Sequence, residues 1–203
     1  MIMKPWYLKL YGAGISIGTA VHVVTSRDRT VGLTTWAHNN HQGAIDIGDY
    51  ALLCPGVRID SATSVRIGPS TMLAAGVYVT DADWHDIYDR SLPIGVTKAV
   101  VLEENVWIGD GSIVCKGVTV GANTVVGAGS VVSKSLPANV IAAGNPAVVI
   151  KPLDPDMALI RRADLLADHE KLSQDVAELD QALRKDNSWL KWLRSLIAPG
   201  SED

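Results

Sequence analysis

Residues 80–90 read TDADWHDIYDR, one imidazole among the four carboxylates Asp81, Asp83, Asp86 and Asp89, with Trp84 beside it. Imidazole ordinarily changes protonation near neutral pH, so His85 is suited to take the proton of a hydroxyl whose own pKa lies far higher. A lone histidine in a loop is equally at home solvated or capping a turn, and the residues alone leave both roles open. Asp83 has two readings as well: it fixes the imidazole tautomer, or it accepts a donor on a bound substrate. Asp81, Asp86 and Asp89 read as solvated loop acids. Arg90 and Lys98 read as partners of these acids or as a grip on an anionic part of a substrate.

Other chemistry-bearing residues compete with this stretch. His38-Asn-Asn-His41 has a spacing that serves zinc, but it needs a third ligand and sits in a loop-like WAHNNHQG run; the alternative is that one of the pair lines an acceptor pocket. Cys115 follows an aliphatic residue inside a regular repeat, with no base near it in sequence, which disfavours a thiol nucleophile. His22 lies in a repeat-like GTAVHVV and reads as packing or surface. Neither a Rossmann glycine pattern nor a phosphate-binding loop is present.

The elements that must position His85 are set by a period of six. Ile108, Val114, Val120, Val126 and Val132 form an unbroken aliphatic series, and Ser112, Val118, Thr124, Ser130 and Leu136 follow four places after each. The same unit recurs at Ile47, Leu53 and Ile59 and at Ile67, Leu73 and Val79, while ISIG, IDIG, VRIG and VWIG mark positions 15, 45, 65 and 106. Such self-similarity predicts a parallel β-helix in which each hexapeptide is one flat side and three sides close one coil. The aliphatic residue points inward onto its counterpart in the next coil, and the small residue turns the corner. Asn123 and Gly129 suit corners that need positive φ. After Val79 the rule fails at Asp83-Trp84-His85 and resumes near Val101, so an excursion of about 81–100 leaves the coil. The general rule for parallel crossovers favours a right-handed turn, and the period does not reverse it.

Composition bounds the function. The chain has 203 residues, 47% of them apolar and 20% charged, which suits a folded domain with an appendage. A net charge of −4 argues against nucleic acid as a partner. Two cysteines, and a start without a cleavable apolar run, predict a reducing, cytoplasmic setting.

The segment VWIGDGSIVCKGVTVGANTVVGAGSVVSKSLPANVIAAGNPAVVIK at 106–151 closely resembles the hexapeptide-repeat acyltransferases, in particular the maltose and galactoside O-acetyltransferase branch. The likeness spans roughly residues 45–152 and loosens before Ile45. It implies an all-β, left-handed parallel β-helix and acetyl transfer from acetyl-CoA, without a metal, to a hydroxyl of a sugar or glycan. It implies His85 as the general base in a direct ternary complex. Trp107 would pack on the pantetheine arm, with Gly109 and Asp110 along it, Ala128 approaching through its backbone, Ser133 and Lys134 toward the nucleotide end, and Lys151 as a further phosphate partner. Asp110 departs from the small polar residue usual at its position. The resemblance also implies a homotrimer with active sites between subunits. Transfer to an amine, a non-catalytic scaffold and a zinc anhydrase are the rival readings.

Three segments result: 1–44 as a divergent start with the first coils, 45–152 as the repeat domain, and 153–203 as a helical extension. From about Pro155 leucines at three-and-four spacing predict helix, broken near Asp186. Its end, SWLKWLRSLI at 188–197, has an amphipathic pattern that packs on protein or rests on a membrane surface.

Overall fold

The computed structural model describes residues 1–38, 41–167 and positions 174, 178 and 181. Residues 1–163 form one compact unit and 164–203 a second. Among the described residues, no helix is long and apolar enough to cross a membrane, and the segment 188–197 lies outside them.

Short parallel strands build the first unit into a left-handed β-helix of three faces. The chain crosses face I at Leu52–Leu53, face II at Arg58–Ser61 and face III at Val65–Ile67, then returns to face I at Met72–Leu73 and face II at Tyr78–Thr80. Each strand lies on its counterpart one coil earlier: Ile113 pairs with Val131, Trp107 with Val125, and Val101 with Thr119, a coil of eighteen residues. The right-handed rule rests on a strand feeding a helix that packs back on the sheet. Here the corners carry no helix, so that argument has nothing to act on. Coils continue down to Ile2–Met3, which pairs with His22–Val24, although the sequence likeness fades before Ile45.

The inward ladder is the core. Ile108, Val114, Val120 and Val132 are completely buried, each side chain stabilising the fold by about 1.5–3 kcal/mol. One expectation needs correction: the small residues four places later do not turn the corner but also point inward. Ser112, Thr124 and Ser130 are fully buried, and their hydroxyls donate to corner carbonyls, Thr124 Oγ1 to Pro137 O at 2.7 Å and Ser130 Oγ to Gly127 O at 2.6 Å. A small side chain is needed there so that the hydroxyl can reach a corner carbonyl, in the next coil for Ser112 and Thr124 and in its own turn for Ser130. The turning is done by the preceding residue. Asn105, Asn123 and Asn139 take φ of 56°, 61° and 59°, and their side chains form a ladder, Asn105 Nδ2 to Asn123 Oδ1 at 3.0 Å and Asn123 Nδ2 to Asn139 Oδ1 at 2.8 Å.

Two excursions leave the coil, both from the corner between faces II and III. Residues 36–44 follow the strand Val31–Thr35 and contain the antiparallel pair Ala37–His38 and His41–Gln42. Residues 81–99 follow Tyr78–Thr80 and end where Val100–Leu102 rejoins face III on Val65–Ile67. The coil between them crosses the same corner in residues 62–64 alone.

The tail does not become helical at Pro155. Residues 153–163 first run down the corner between faces III and I: Leu153 N donates to Asn139 O at 2.8 Å, Arg161 Nη1 to Glu104 Oε2 at 3.1 Å and Ala163 N to Ser70 Oγ at 3.2 Å. Arg162 Nε reaches Tyr50 O at 2.9 Å, and its Nη2 lies 3.1 Å from His22 Nδ1. Helix begins at Arg162–Ala167, and most of the leucine stripe lies outside the described residues.

Candidate active site

Asp81 begins the excursion, and it is not a solvated acid. It is fully buried and accepts hydrogen bonds from Ser61 Oγ at 2.7 Å and from the main-chain N–H groups of Ala62, Thr63 and Ser64 at 2.7, 2.8 and 2.6 Å. Those amides belong to the tight corner of the coil below and have no strand partner. A carboxylate is the compact group that satisfies several converging donors, and it pins the first residue of the excursion to the prism. Asp86 and Asp89 do behave as local loop acids. Asp86 Oδ1 caps the amides of Tyr88 and Asp89, and Asp89 Oδ1 accepts from Ser91 Oγ and N, hydrogen bonds that hold both carboxyls below their usual range.

Above Asp81 the excursion closes on itself. Asp83 N donates to Val96 O at 3.0 Å, Gly95 N to Asp83 O at 2.8 Å and Lys98 N to Asp81 O at 2.8 Å. Ala62, Ala82 and Ile94 form a small apolar cluster under this turn, with Trp84 packed on it. His85 is thereby carried outward on a supported stem and is exposed. Gly95 backs it: a Cβ there would stand 2.7 Å from the His85 carbonyl oxygen. Asp83 is engaged elsewhere, with its Oδ1 2.6 Å from Lys116 Nζ, and among the described residues no hydrogen bond joins it to His85.

His85 borders a cavity of about 480 Å³. Its walls are Trp36 from the first excursion and Trp84 from the second, with ring centroids 6.0 Å apart, closed by Pro93 and Ile94. Its floor is the outer side of face II: Arg58, Asp60 and Tyr78. Arg58 Nε lies 3.0 Å from Asp60 Oδ2, and the guanidinium sits 3.9 Å over the Tyr78 ring. Tyr78 OH in turn accepts from Trp84 Nε1 at 2.9 Å. Burial pushes the Asp60 carboxyl above its usual range, against the pull of Arg58 and of hydrogen bonds from Tyr78 and Thr34. Sequence reading missed this floor. Its signal was the alternation Arg-Ile-Asp at 58–60, two charged outward positions around one inward residue, and the register that lays Arg58 on Tyr78.

The residues assigned by resemblance to the donor divide among three places. Trp107 lies on face I, 48% exposed, between Met72 and Val125. Gly109, Asp110 and Ala128 sit at the corner after it on adjacent coils, where Gly129 N donates to Asp110 O at 2.7 Å. A Cβ on Gly109 would stand 2.6 Å from Ala128 N, so only glycine admits that approach. Ser133 and Lys134 follow Val131–Val132 of face II at the next corner, and Lys151 lies on Ala147–Pro152 at the edge of face I; all three are exposed. An exposed indole beside side-chain-free glycine suits an extended flexible ligand, with lysines available to phosphates. Within one chain, however, Trp107 and His85 are on different faces.

Cys54 and Cys115 are free thiols. Burial pushes both up, and neither lines the cavity. Among the described residues no cluster of three or more His, Cys, Asp or Glu is arranged to hold a metal ion. His38 and His41 pair through their backbones.

Comparison with known proteins bears on this arrangement. Residues 99–134 match the family described as bacterial transferase hexapeptide (six repeats). A protein of Escherichia coli K12 provisionally assigned as a colanic acid biosynthesis acetyltransferase is 38% identical over 107 residues, 53% of this chain and 58% of its own length. One from the same organism, provisionally assigned as a lipopolysaccharide biosynthesis O-acetyl transferase, is 34% identical over 133 residues, 60% of this chain and 67% of its own. The crystal structure of a maltose O-acetyltransferase from Clostridium difficile 630 superposes with a TM-score of 0.57 at 32% identity, over 71% of each chain. The chain thus spans little more than half of the first relative and two thirds of the second. With the hexapeptide repeat matched and the coil superposing over that length, it belongs to the hexapeptide-repeat acyltransferases, in the branch of the maltose and galactoside O-acetyltransferases.

Proposed function

We propose that this chain is an acetyl-CoA-dependent O-acetyltransferase acting on a hydroxyl of a sugar or glycan, with His85 as general base. The observation that carries the reading is the placement of His85: an exposed imidazole on a braced stem at the border of an aromatic-walled cavity of about 480 Å³. The relatives' names, two for surface polysaccharide biosynthesis and one for maltose, support the acceptor class and the transferred group. Lys116 does not offer an alternative base, because it is committed to Asp83.

In this reading the acceptor occupies the cavity with one hydroxyl toward His85. An imidazole nitrogen takes the hydroxyl proton as the oxygen attacks, then returns it to the departing thiol. Acetyl-CoA supplies an acetyl group already activated as a thioester. Trp107, Gly109, Asp110 and Ala128 would hold its pantetheine arm, and Ser133, Lys134 and Lys151 its phosphate-bearing end. Asp83 braces the stem through Lys116 and so acts as a positioning residue. Holding both substrates together replaces an improbable encounter by a local one, and a main-chain N–H steadies the developing oxyanion.

The separation of Trp107 and His85 on different faces supports a homotrimer in which one subunit presents the base and acceptor cavity and its neighbour the donor groove. Expressed alone as a single subunit, the chain would carry two half sites. The two cysteines and the net charge support a reducing, cytoplasmic setting without nucleic acid; contact of 188–197 with a membrane surface remains part of the proposal, tested by comparing liposome flotation of the intact chain with one ending at Asp186.

The test of the central reading is His85→Ala. Acetyl transfer to a hydroxyl acceptor, followed by thiol release and product mass, should fall at least about a hundredfold, with unchanged circular dichroism and melting. Paired hydroxyl and amine acceptors decide O- against N-transfer. Unchanged turnover in the variant removes His85 from the mechanism, and transfer confined to amines removes the O-acetyl assignment.

A further inference from the structure

The cavity has a polar floor that proton removal by His85 does not require. Arg58 and Asp60 project outward from the strand Arg58–Ser61, on either side of the buried Ile59. Building on the O-acetyl transfer reading above, we propose that this floor selects an uncharged sugar ring: the Arg58–Asp60 pair reads neighbouring hydroxyls, the indoles of Trp36 and Trp84 flank the ring, and sugars bearing a carboxylate are rejected.

The charge arrangement is the first argument. Among the described residues lining the cavity, Arg58 is the one permanent cation, and its charge is already met by Asp60 at 3.0 Å. A carboxylate on the ligand would compete with Asp60 for the guanidinium while lying against Asp60 itself, and like charges brought together disfavour binding. Lys116, the cation of the nearby turn, is likewise neutralised by Asp83 at 2.6 Å. Nothing at the floor rewards a second negative charge.

Donor and acceptor chemistry is the second. Arg58 gives Nε to Asp60, which leaves its terminal N–H groups as donors. Asp60 offers carboxylate lone pairs. A sugar hydroxyl both donates and accepts, so adjacent hydroxyls match one donor group and one acceptor group side by side. These groups are held in advance: Trp84 Nε1 donates to Tyr78 OH, the Arg58 guanidinium stacks on the Tyr78 ring, and Asp60 receives Arg58. A ligand therefore meets a floor whose ordering cost has already been met by folding. A site of this kind rejects analogues that leave its polar groups unpaired.

The walls are the third. Trp36 and Trp84 stand 6.0 Å apart between ring centroids, tilted by 57°, and Trp36 is 43% exposed. Indole faces carry partial negative charge and suit the C–H face of a pyranose ring. Each wall comes from a different excursion, so the cleft exists only because both leave the prism at one corner.

The experiment uses the full chain with saturating acetyl-CoA and pairs of methyl hexopyranosides and methyl hexuronides of the gluco, galacto and manno series, each pair differing only in CH2OH or carboxylate at C6. Thiol release gives rates and mass spectrometry confirms the product. The uncharged member should be preferred by at least about tenfold in kcat/KM. Asp60→Asn and Trp36→Ala should each raise the acceptor KM roughly tenfold to hundredfold, with a smaller change in kcat and an unchanged KM for acetyl-CoA. Trp36 is exposed enough that its variant reports even where Asp60→Asn fails to fold. Equal or better use of the uronides, or an unchanged acceptor KM in the variants that fold, overturns the inference. Wild-type protein that acetylates no hydroxyl acceptor refutes the O-acetyl reading itself, a distinct outcome, and the inference falls with it.

Discussion

At the scale of single residues, the proposed role of His85 as base depends on how its main chain is held. Its carbonyl packs against Gly95, where a Cβ would stand at 2.7 Å. Gly95→Ala should therefore displace the His85 main chain while leaving the prism intact. Misplacement on the order of 1 Å in a reacting group costs about a hundredfold in rate, so kcat should fall by roughly tenfold to hundredfold with little change in melting temperature. A variant with wild-type kcat would show that the stem gives way without moving the base. His85→Ala provides the reference, since it removes the base and leaves the stem.

Asp81 governs the excursion as an element. Asp81→Ala leaves the amides of Ala62, Thr63 and Ser64 and the Ser61 hydroxyl without their acceptor, groups now bonded at 2.6–2.8 Å. The cost should be roughly 3–5 kcal/mol, shared between global stability and local opening of residues 81–99. Urea unfolding together with hydrogen exchange at Ala62, Thr63 and Ser64 measures the two parts. A loss below about 1 kcal/mol with those amides still protected would mean that water replaces the carboxylate at no penalty. The strap at 153–163 carries a second element-scale prediction. His22 is held below its ordinary pKa by desolvation, then by Arg162 and the N-terminal ammonium. The folded state binds that proton less readily than the unfolded chain, so the stability is present above the ordinary histidine pKa and declines as pH falls through it toward the lowered value. Melting temperature between pH 8 and pH 5 should drop for the wild type, and the drop should be smaller in His22→Gln; parallel profiles would remove His22 as its source.

For the whole molecule, the decisive fact is that Trp107 and His85 occupy different faces of one prism. If a donor groove on one subunit meets the base of its neighbour, His85→Ala and Trp107→Ala chains co-expressed in one assembly should recover activity that neither has alone, because some interfaces pair two intact half sites. Light scattering should give three times the chain mass. Recovery no greater than the sum of the two separate variants would place both half sites in the same subunit and end the shared-site reading.

Reading the sequence alone reached the coil because the six-residue period is a local property: every inward position from Ile108 to Val132 is declared by its own side chain, and burial of each stabilises its neighbours regardless of what lies elsewhere. The failure of that period also located the excursion and His85. It did not disclose Asp81, which looks like its solvated neighbours in the string TDADWHD and differs only because three amides of the preceding coil, 17 to 19 residues earlier, converge on it. Nor did it disclose the cavity, which forms when coil register lays Arg58 on Tyr78 on face II, with Asp60 beside them, and the first excursion brings Trp36 over them. A solenoid writes its core in sequence because stacking repeats the same contact; a site built across coils depends on which outward side chains register brings together, and that is settled only when the chain has wound.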